Sequence, residues 1–220
     1  MRPLLQRKTS QLIIVSGLPR SGTSLAMQML CAGGLNCVTD EEREPDEHNP
    51  KGYYEYTPVK SLYRDSGWVK DCHGKALKVV APLLPYLPPE LSYKTIFMSR
   101  PLGAIVASQQ KMLLARGFTR DSNFHTVERL LAREVERAKR WLFSHPNNET
   151  LFLDYQQSLE NPLKSAERLK QFLELDLDIN AMAEEIEPNL CHQTSPETSA
   201  PSSPPPRLKS HSLQHEPVGE

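Results

Sequence analysis

Residues 12–24 read LIIVSGLPRSGTS, a short apolar run that passes straight into a loop bracketed by Gly17 and Gly22. The β-branched run predicts a buried strand over 12–16, and the TSLAMQMLCAG that follows predicts a helix over 23–33, closed by Gly33-Gly34. Within Gly17-Leu18-Pro19-Arg20-Ser21-Gly22-Thr23-Ser24 the two glycines stand at the spacing of a nucleotide phosphate loop, in the strand-to-helix setting such a loop requires. Glycines let the backbone wrap closely around an anion, successive N–H groups then point inward, and the helix N-terminus adds partial positive charge. The stretch therefore predicts an oxyanion site. In nucleoside-triphosphate hydrolases the residue after the second glycine is a lysine that serves the β- and γ-phosphates. Here that position is Thr23 and the basic residue is Arg20, three residues earlier, so triphosphate hydrolysis is disfavoured. No later strand ends in an evident metal-binding Asp, and no metal is called for.

Working outward, ALKVV (76–80), KTIFM (94–98) and LFLDY (151–155) predict three further strands. After KTIFM the chain turns at Ser99-Arg100-Pro101 into LGAIVASQQKMLLARG, where the proline suits a first helical turn and Gly117 suits the exit. In 126–145, Val127, Leu130, Leu131, Val135, Ala138, Trp141 and Leu142 recur at helical spacing, with Arg129, Arg133, Arg137 and Arg140 on a solvated face. Asn161-Pro162 opens a last amphipathic helix through LKSAERLKQFLEL. Strands alternating with helices predict an α/β three-layer sandwich around a central parallel sheet. Residues 38–58, rich in Pro and acidic side chains, predict a long irregular loop, and such loops are usually functional. From Thr194 onward Pro and Ser dominate and large apolar residues almost vanish, which predicts a disordered tail behind a single domain over residues 1–193.

Composition narrows the partners. With a formal net charge of −1 the chain lacks the basic excess by which nucleic-acid and acidic-membrane binders neutralise phosphates. No apolar run approaches the roughly 20 residues that cross a bilayer, and LIIV is too short for a signal-peptide core, so the expectation is cytoplasmic. The four cysteines, Cys31, Cys37, Cys72 and Cys191, are sparse and include no CxxC pair; this predicts reduced thiols.

PRSGTS after a strand resembles the 5′-phosphosulfate loop of the sulfotransferases, which take their sulfuryl group from 3′-phosphoadenosine 5′-phosphosulfate. That family carries its basic residue before the Ser-Gly-Thr, where Arg20 stands. The family also reads the donor's 3′-phosphate with an arginine at a later strand end and a serine eight residues on, and KTIFMSRPLGAIVAS places Arg100 and Ser108 at that spacing. The LFLDYQQSLENPLKSAERLKQFLEL segment resembles the family's later strand, Tyr-containing turn and helix, so the likeness covers roughly residues 12–190. It implies a phosphate-loop nucleotide-binding fold. It further implies donor contacts from Gly17, Pro19, Arg20, Ser21, Gly22, Thr23, Ser24, Arg100 and Ser108, and a small-molecule or carbohydrate acceptor. The chain departs from the pattern at Leu102, where an Asp is frequent, and in PNLCHQTS, which lacks the family's basic segment.

Sulfuryl transfer needs in-line positioning, charge stabilisation on the leaving oxygen and a general base for the acceptor. Arg20 answers the second need. The resemblance points to a carboxylate in the loop after the first helix, Glu41 with Asp40 beside it, and Glu55 in NPKGYYE is the rival. Lys78 at the end of ALKVV either faces the donor's bridging oxygen or reaches solvent, and His48, Tyr53 and Tyr54 are candidates to line the acceptor site. Two other functions stay open: a kinase-like nucleotide-dependent transferase, and an inactive adenosine-phosphate-binding module.

Overall fold

The computed structural model describes residues 11–40, 49, 51–115, 117–118 and 124–186. Glu41, His48, Cys191 and the segment from 194 lie outside them. Five strands, β1 (Leu12–Gly17), β2 (Cys37–Val38), β3 (Ala76–Lys78), β4 (Tyr93–Ser99) and β5 (Asn148–Asp154), form one sheet in the order β2-β3-β1-β4-β5. Every pairing is parallel. All six residues of β1 are buried, as expected for a central strand covered on both faces.

Alternate side chains feed two cores. Ile13 and Val15 point to a layer built by α1 (Thr23–Ala32), α5 (Pro162–Leu173) and α6 (Ile179–Glu184), through Met27, Leu30, Ala166, Leu169, Leu173 and Met182. Leu12 and Ile14 face the opposite layer, where α2 (Leu102–Ala115) and α3 (Phe124–Ser144) contribute Ile105, Ala138 and Leu142. The remaining short helix, α4 (Tyr155–Glu160), follows β5 directly. The predicted three-layer α/β sandwich is the fold observed.

Local outcomes differ in instructive ways. Tyr155 leaves the last strand and starts α4, because Asp154 caps that helix by accepting the Gln157 N–H at 2.9 Å. The proline-broken segment after β3 contains a 3-10 turn, Ala81–Tyr86, with Pro85 inside it. Arg129, Arg133, Arg137 and Arg140 are exposed as predicted, but Leu130 is exposed with them, one step off the apolar stripe of α3.

The reduced-thiol reading is corrected. Cys31 in the last turn of α1 and Cys37 in β2 are joined by a disulfide, while Cys72 is a buried free thiol. The two cysteines are six residues apart in sequence, and the turn between them, through Gly33 and Gly34, folds the chain back until their Cα atoms lie 6.0 Å apart. Cysteine spacing alone carries no sign of that reversal.

Candidate functional site

The parallel register aligns the carboxyl ends of the strands. Lys78 pairs with Val15, Met98 with Gly17 and Asp154 with Ser99, so the segments that follow β1, β3, β4 and β5 emerge side by side. In open α/β sheets this edge is where ligands bind.

The phosphate loop is shaped by two glycines. Gly17 (φ 149°) passes so close to β4 that a Cβ there would lie 2.7 Å from the Met98 carbonyl oxygen. Gly22 (φ 103°) is the N-cap of α1 and cannot offer a side-chain cap, which leaves the first N–H groups of that helix without one. Arg20 is held in the left-handed region at φ 72°, a conformation costing a non-glycine residue about 1 kcal/mol or more. The turn is closed by Ser21 N–H donating to Leu18 O at 3.1 Å. Ser21 itself is 1% exposed, and its Oγ has no hydrogen-bond partner among the described residues. An unpaired buried hydroxyl is costly. A loop with unclaimed N–H groups, an orphaned hydroxyl and a neighbouring arginine is the donor set expected around a bound phosphate or sulfate.

Arg20, Arg100 and Ser108 lie close together in the fold. Arg20 Nε donates to Ser108 Oγ at 2.9 Å, across 88 residues of sequence, and Ser108 is only 2% exposed. From the end of β4, Arg100 donates to the Arg20 carbonyl at 3.1 Å, and its guanidinium carbon lies 4.5 Å from the centre of the Tyr155 ring. The two arginines thus sit on adjacent strand ends, and a guanidinium fork is the side chain best shaped to hold a phosphate or sulfate.

On the other side of β1, Lys78 is buried, not solvated. Its Nζ donates to Ser24 Oγ at 3.1 Å and to the Tyr53 carbonyl at 2.6 Å, and Ser24 Oγ in turn lies 3.3 Å from that carbonyl. The lysine therefore ties the first turn of α1 to the loop that precedes the 3-10 turn Thr57–Ser61. Tyr53 is buried and Tyr54 has a positive φ of 52°. Asp40 accepts the Thr57 N–H, and the Glu55 backbone carbonyl accepts from Asp40 N–H at 3.2 Å and Thr39 Oγ1 at 3.1 Å. The Glu55 carboxylate pairs with exposed Lys60 at 3.9 Å. Glu41 and His48 are outside the described residues.

Sequence reasoning missed the Tyr155 ring between Gly22 and Arg100, and it left the burial of Lys78 open. A tyrosine next to a strand-end Asp was the available signal for the first, but its meaning depends on which strand lies alongside.

Among solved structures, the chain is similar to the sulfotransferase domain from the curacin biosynthetic pathway. The two share 14% identity over 82% of this chain and 79% of that one, with a TM-score of 0.48. A sulfotransferase from Mycobacterium tuberculosis gives 16% identity over 80% and 70%, also at 0.48. A sugar kinase from a Janibacter species gives 17% over 83% and 98%, at 0.42. No curated protein matches the chain. The sequence profile of the sulfotransferase domain, however, matches residues 10–203. That span takes in the phosphate loop, the Arg100–Ser108 segment and the buried lysine alike, and by it the chain belongs to the sulfotransferase domain family.

Proposed function

We propose that this sulfotransferase uses 3′-phosphoadenosine 5′-phosphosulfate as donor and passes the sulfuryl group to a hydroxyl or amine of a small-molecule or carbohydrate acceptor. The observation that carries the reading is the Arg20–Ser108 hydrogen bond at 2.9 Å with Arg100 beside it. These residues provide two neighbouring poles for anions, one at the phosphate loop and one at the start of α2, which is the charge pattern of a nucleotide bearing both a 5′-phosphosulfate and a 3′-phosphate.

The donor supplies an activated S–O bond. Gly17, Pro19, Ser21, Gly22, Thr23 and Ser24 form the loop that would hold its 5′ end, with the N–H groups of α1 directed at the oxygens. Arg20 would neutralise charge building on the leaving phosphate oxygen as that bond breaks, and a preorganised donor of this kind typically supplies about 3–4 kcal/mol of transition-state stabilisation. Lys78, fixed against Ser24, would add a second positive charge from the opposite side. As the acceptor oxygen or nitrogen bonds to sulfur its proton must leave, and Asp40, Glu41 or Glu55 would be the carboxylate that takes it. Arg100 and Ser108 would grip the 3′-phosphate through a guanidinium fork and a hydroxyl.

The test is titration calorimetry with 3′-phosphoadenosine 5′-phosphate, AMP and Mg-ATP. Arg100→Ala is expected to weaken the bisphosphate by at least about tenfold, the value of one charge-assisted hydrogen-bonded pair, while leaving AMP nearly unchanged. Equal weakening of both ligands would remove Arg100 from the 3′-phosphate, and a preference for Mg-ATP would move the protein to the kinase-like class.

A further inference from the structure

Tyr155 stands where three elements meet. It is the first residue of α4, directly after Asp154, which pairs in register with Ser99, so its ring lies alongside Arg100. One part of the ring backs Gly22, where an added Cβ would come within 2.4 Å of Tyr155 Cδ2. The ring face meets the Arg100 guanidinium at 4.5 Å from its centre, within the range of a cation–π contact. The same side chain packs against the core beneath α1. Arg100 also donates to the carbonyl of Arg20, so its head group is held between a backbone oxygen and an aromatic face. A free arginine samples many rotamers, and confining one before binding removes that cost from the binding step.

Resting on the reading of Arg100 given above, we propose that Tyr155 is a positioning residue: its ring, not its hydroxyl, is a wedge that holds the phosphate loop and the Arg100 guanidinium in mutual register. The wedge thereby sets the preference for a 3′-phosphorylated nucleotide over one without that group. It acts mainly through Arg100, so its effect falls more heavily on the 3′-phosphate than on the 5′ end of the nucleotide.

The experiment measures the ratio of affinities for 3′-phosphoadenosine 5′-phosphate and AMP by calorimetry on the full chain. The variants are Tyr155→Phe, Tyr155→Leu, Tyr155→Met, Arg100→Ala and the Tyr155→Leu/Arg100→Ala pair. Tyr155→Phe, which keeps the ring, is expected to hold the ratio within about twofold. Tyr155→Leu is expected to lower it roughly 5- to 30-fold, the span of a partly desolvated cation–π contact. In the Arg100→Ala background Tyr155→Leu is expected to change the ratio no further, because the two act as one unit. Tyr155→Met supplies a second side chain without a π face should the leucine variant not fold. A fall in Tyr155→Phe as deep as in Tyr155→Leu would overturn the wedge in favour of a hydroxyl contact. Equal weakening of both nucleotides, or a further fall in the Arg100→Ala background, would also overturn it. If Arg100→Ala lowers the ratio and Tyr155→Leu does not, this inference alone fails; if Arg100→Ala leaves the ratio intact, the reading of Arg100 fails with it.

Discussion

At Gly22 two separate constraints fall on one atom. Its φ of 103° is unfavourable for any residue with a Cβ, and that Cβ would strike the Tyr155 ring at 2.4 Å. Gly34 shares the first constraint, at φ 95°, but has nothing within 4 Å. Gly22→Ala is therefore expected to cost about 2–4 kcal/mol and Gly34→Ala only about 1 kcal/mol, measured by denaturant unfolding. Equal costs at the two sites would mean that the ring yields and the backbone alone decides. At this scale the sequence was informative wherever a role follows from neighbours along the chain. Arg20, Ser21 and the glycines belong to one local motif, and Arg100 and Ser108 sit on one strand-to-helix unit. Lys78 and Tyr155 were harder to read because each takes its role from residues on other elements, distant along the chain. The Lys78 ammonium reaches Ser24, 54 positions away, and no pattern near residue 78 encodes that contact.

Among the elements, long buried strands and amphipathic helices were legible from periodicity, and β2 was not. It is two residues long, pairs only with β3, and lies at the sheet edge just before the loop that carries Asp40. So short a strand has little pairing of its own, and the Cys31–Cys37 bond fixes it to the end of α1. Closing so short a loop is worth about 2 kcal/mol, chiefly by restricting the unfolded chain. A Cys31→Ser/Cys37→Ser protein is accordingly expected to unfold at lower denaturant than the oxidised native chain by about that amount. Dithiothreitol should bring the native chain down to the same midpoint and leave the double variant unmoved. A native midpoint indifferent to reductant would show that the staple contributes nothing. The bond also bears on the cytoplasmic expectation, since thiol pools in the cytosol hold such cysteines reduced. Among the described residues no helix is long and apolar enough to cross a membrane.

Across the whole molecule the sheet separates its tasks. The carboxyl edge gathers the basic side chains of the site, Arg20, Lys78 and Arg100, and the amino edge is closed by an aromatic cluster. There Tyr93 is fully buried at the start of β4, 5.6 Å from the His145 ring and 6.0 Å from Trp141, and its hydroxyl donates to the Pro88 carbonyl at 2.6 Å. Burial, helped by the nearby negative charge of Glu90, pushes the Tyr93 hydroxyl well above the ordinary tyrosine range. The folded protein thus keeps a proton that the unfolded chain releases near pH 10, so the stability tied to Tyr93 is complete below that pH and declines above it. Each further pH unit should remove about 1.4 kcal/mol through this group. Tyr93→Phe forfeits the hydrogen bond, about 1 kcal/mol at neutral pH, but has no phenol there to ionise. Burial raises the Cys72 thiol as well, and that effect is common to both proteins, so it cancels in the comparison. Unfolding free energies of the native chain and Tyr93→Phe, taken at steps from pH 7 to 11, are therefore expected to start about 1 kcal/mol apart and converge by about pH 11. Parallel curves would mean that the Tyr93 hydroxyl ionises as readily in the folded protein as in the unfolded chain, and that the amino edge of the sheet is open to water.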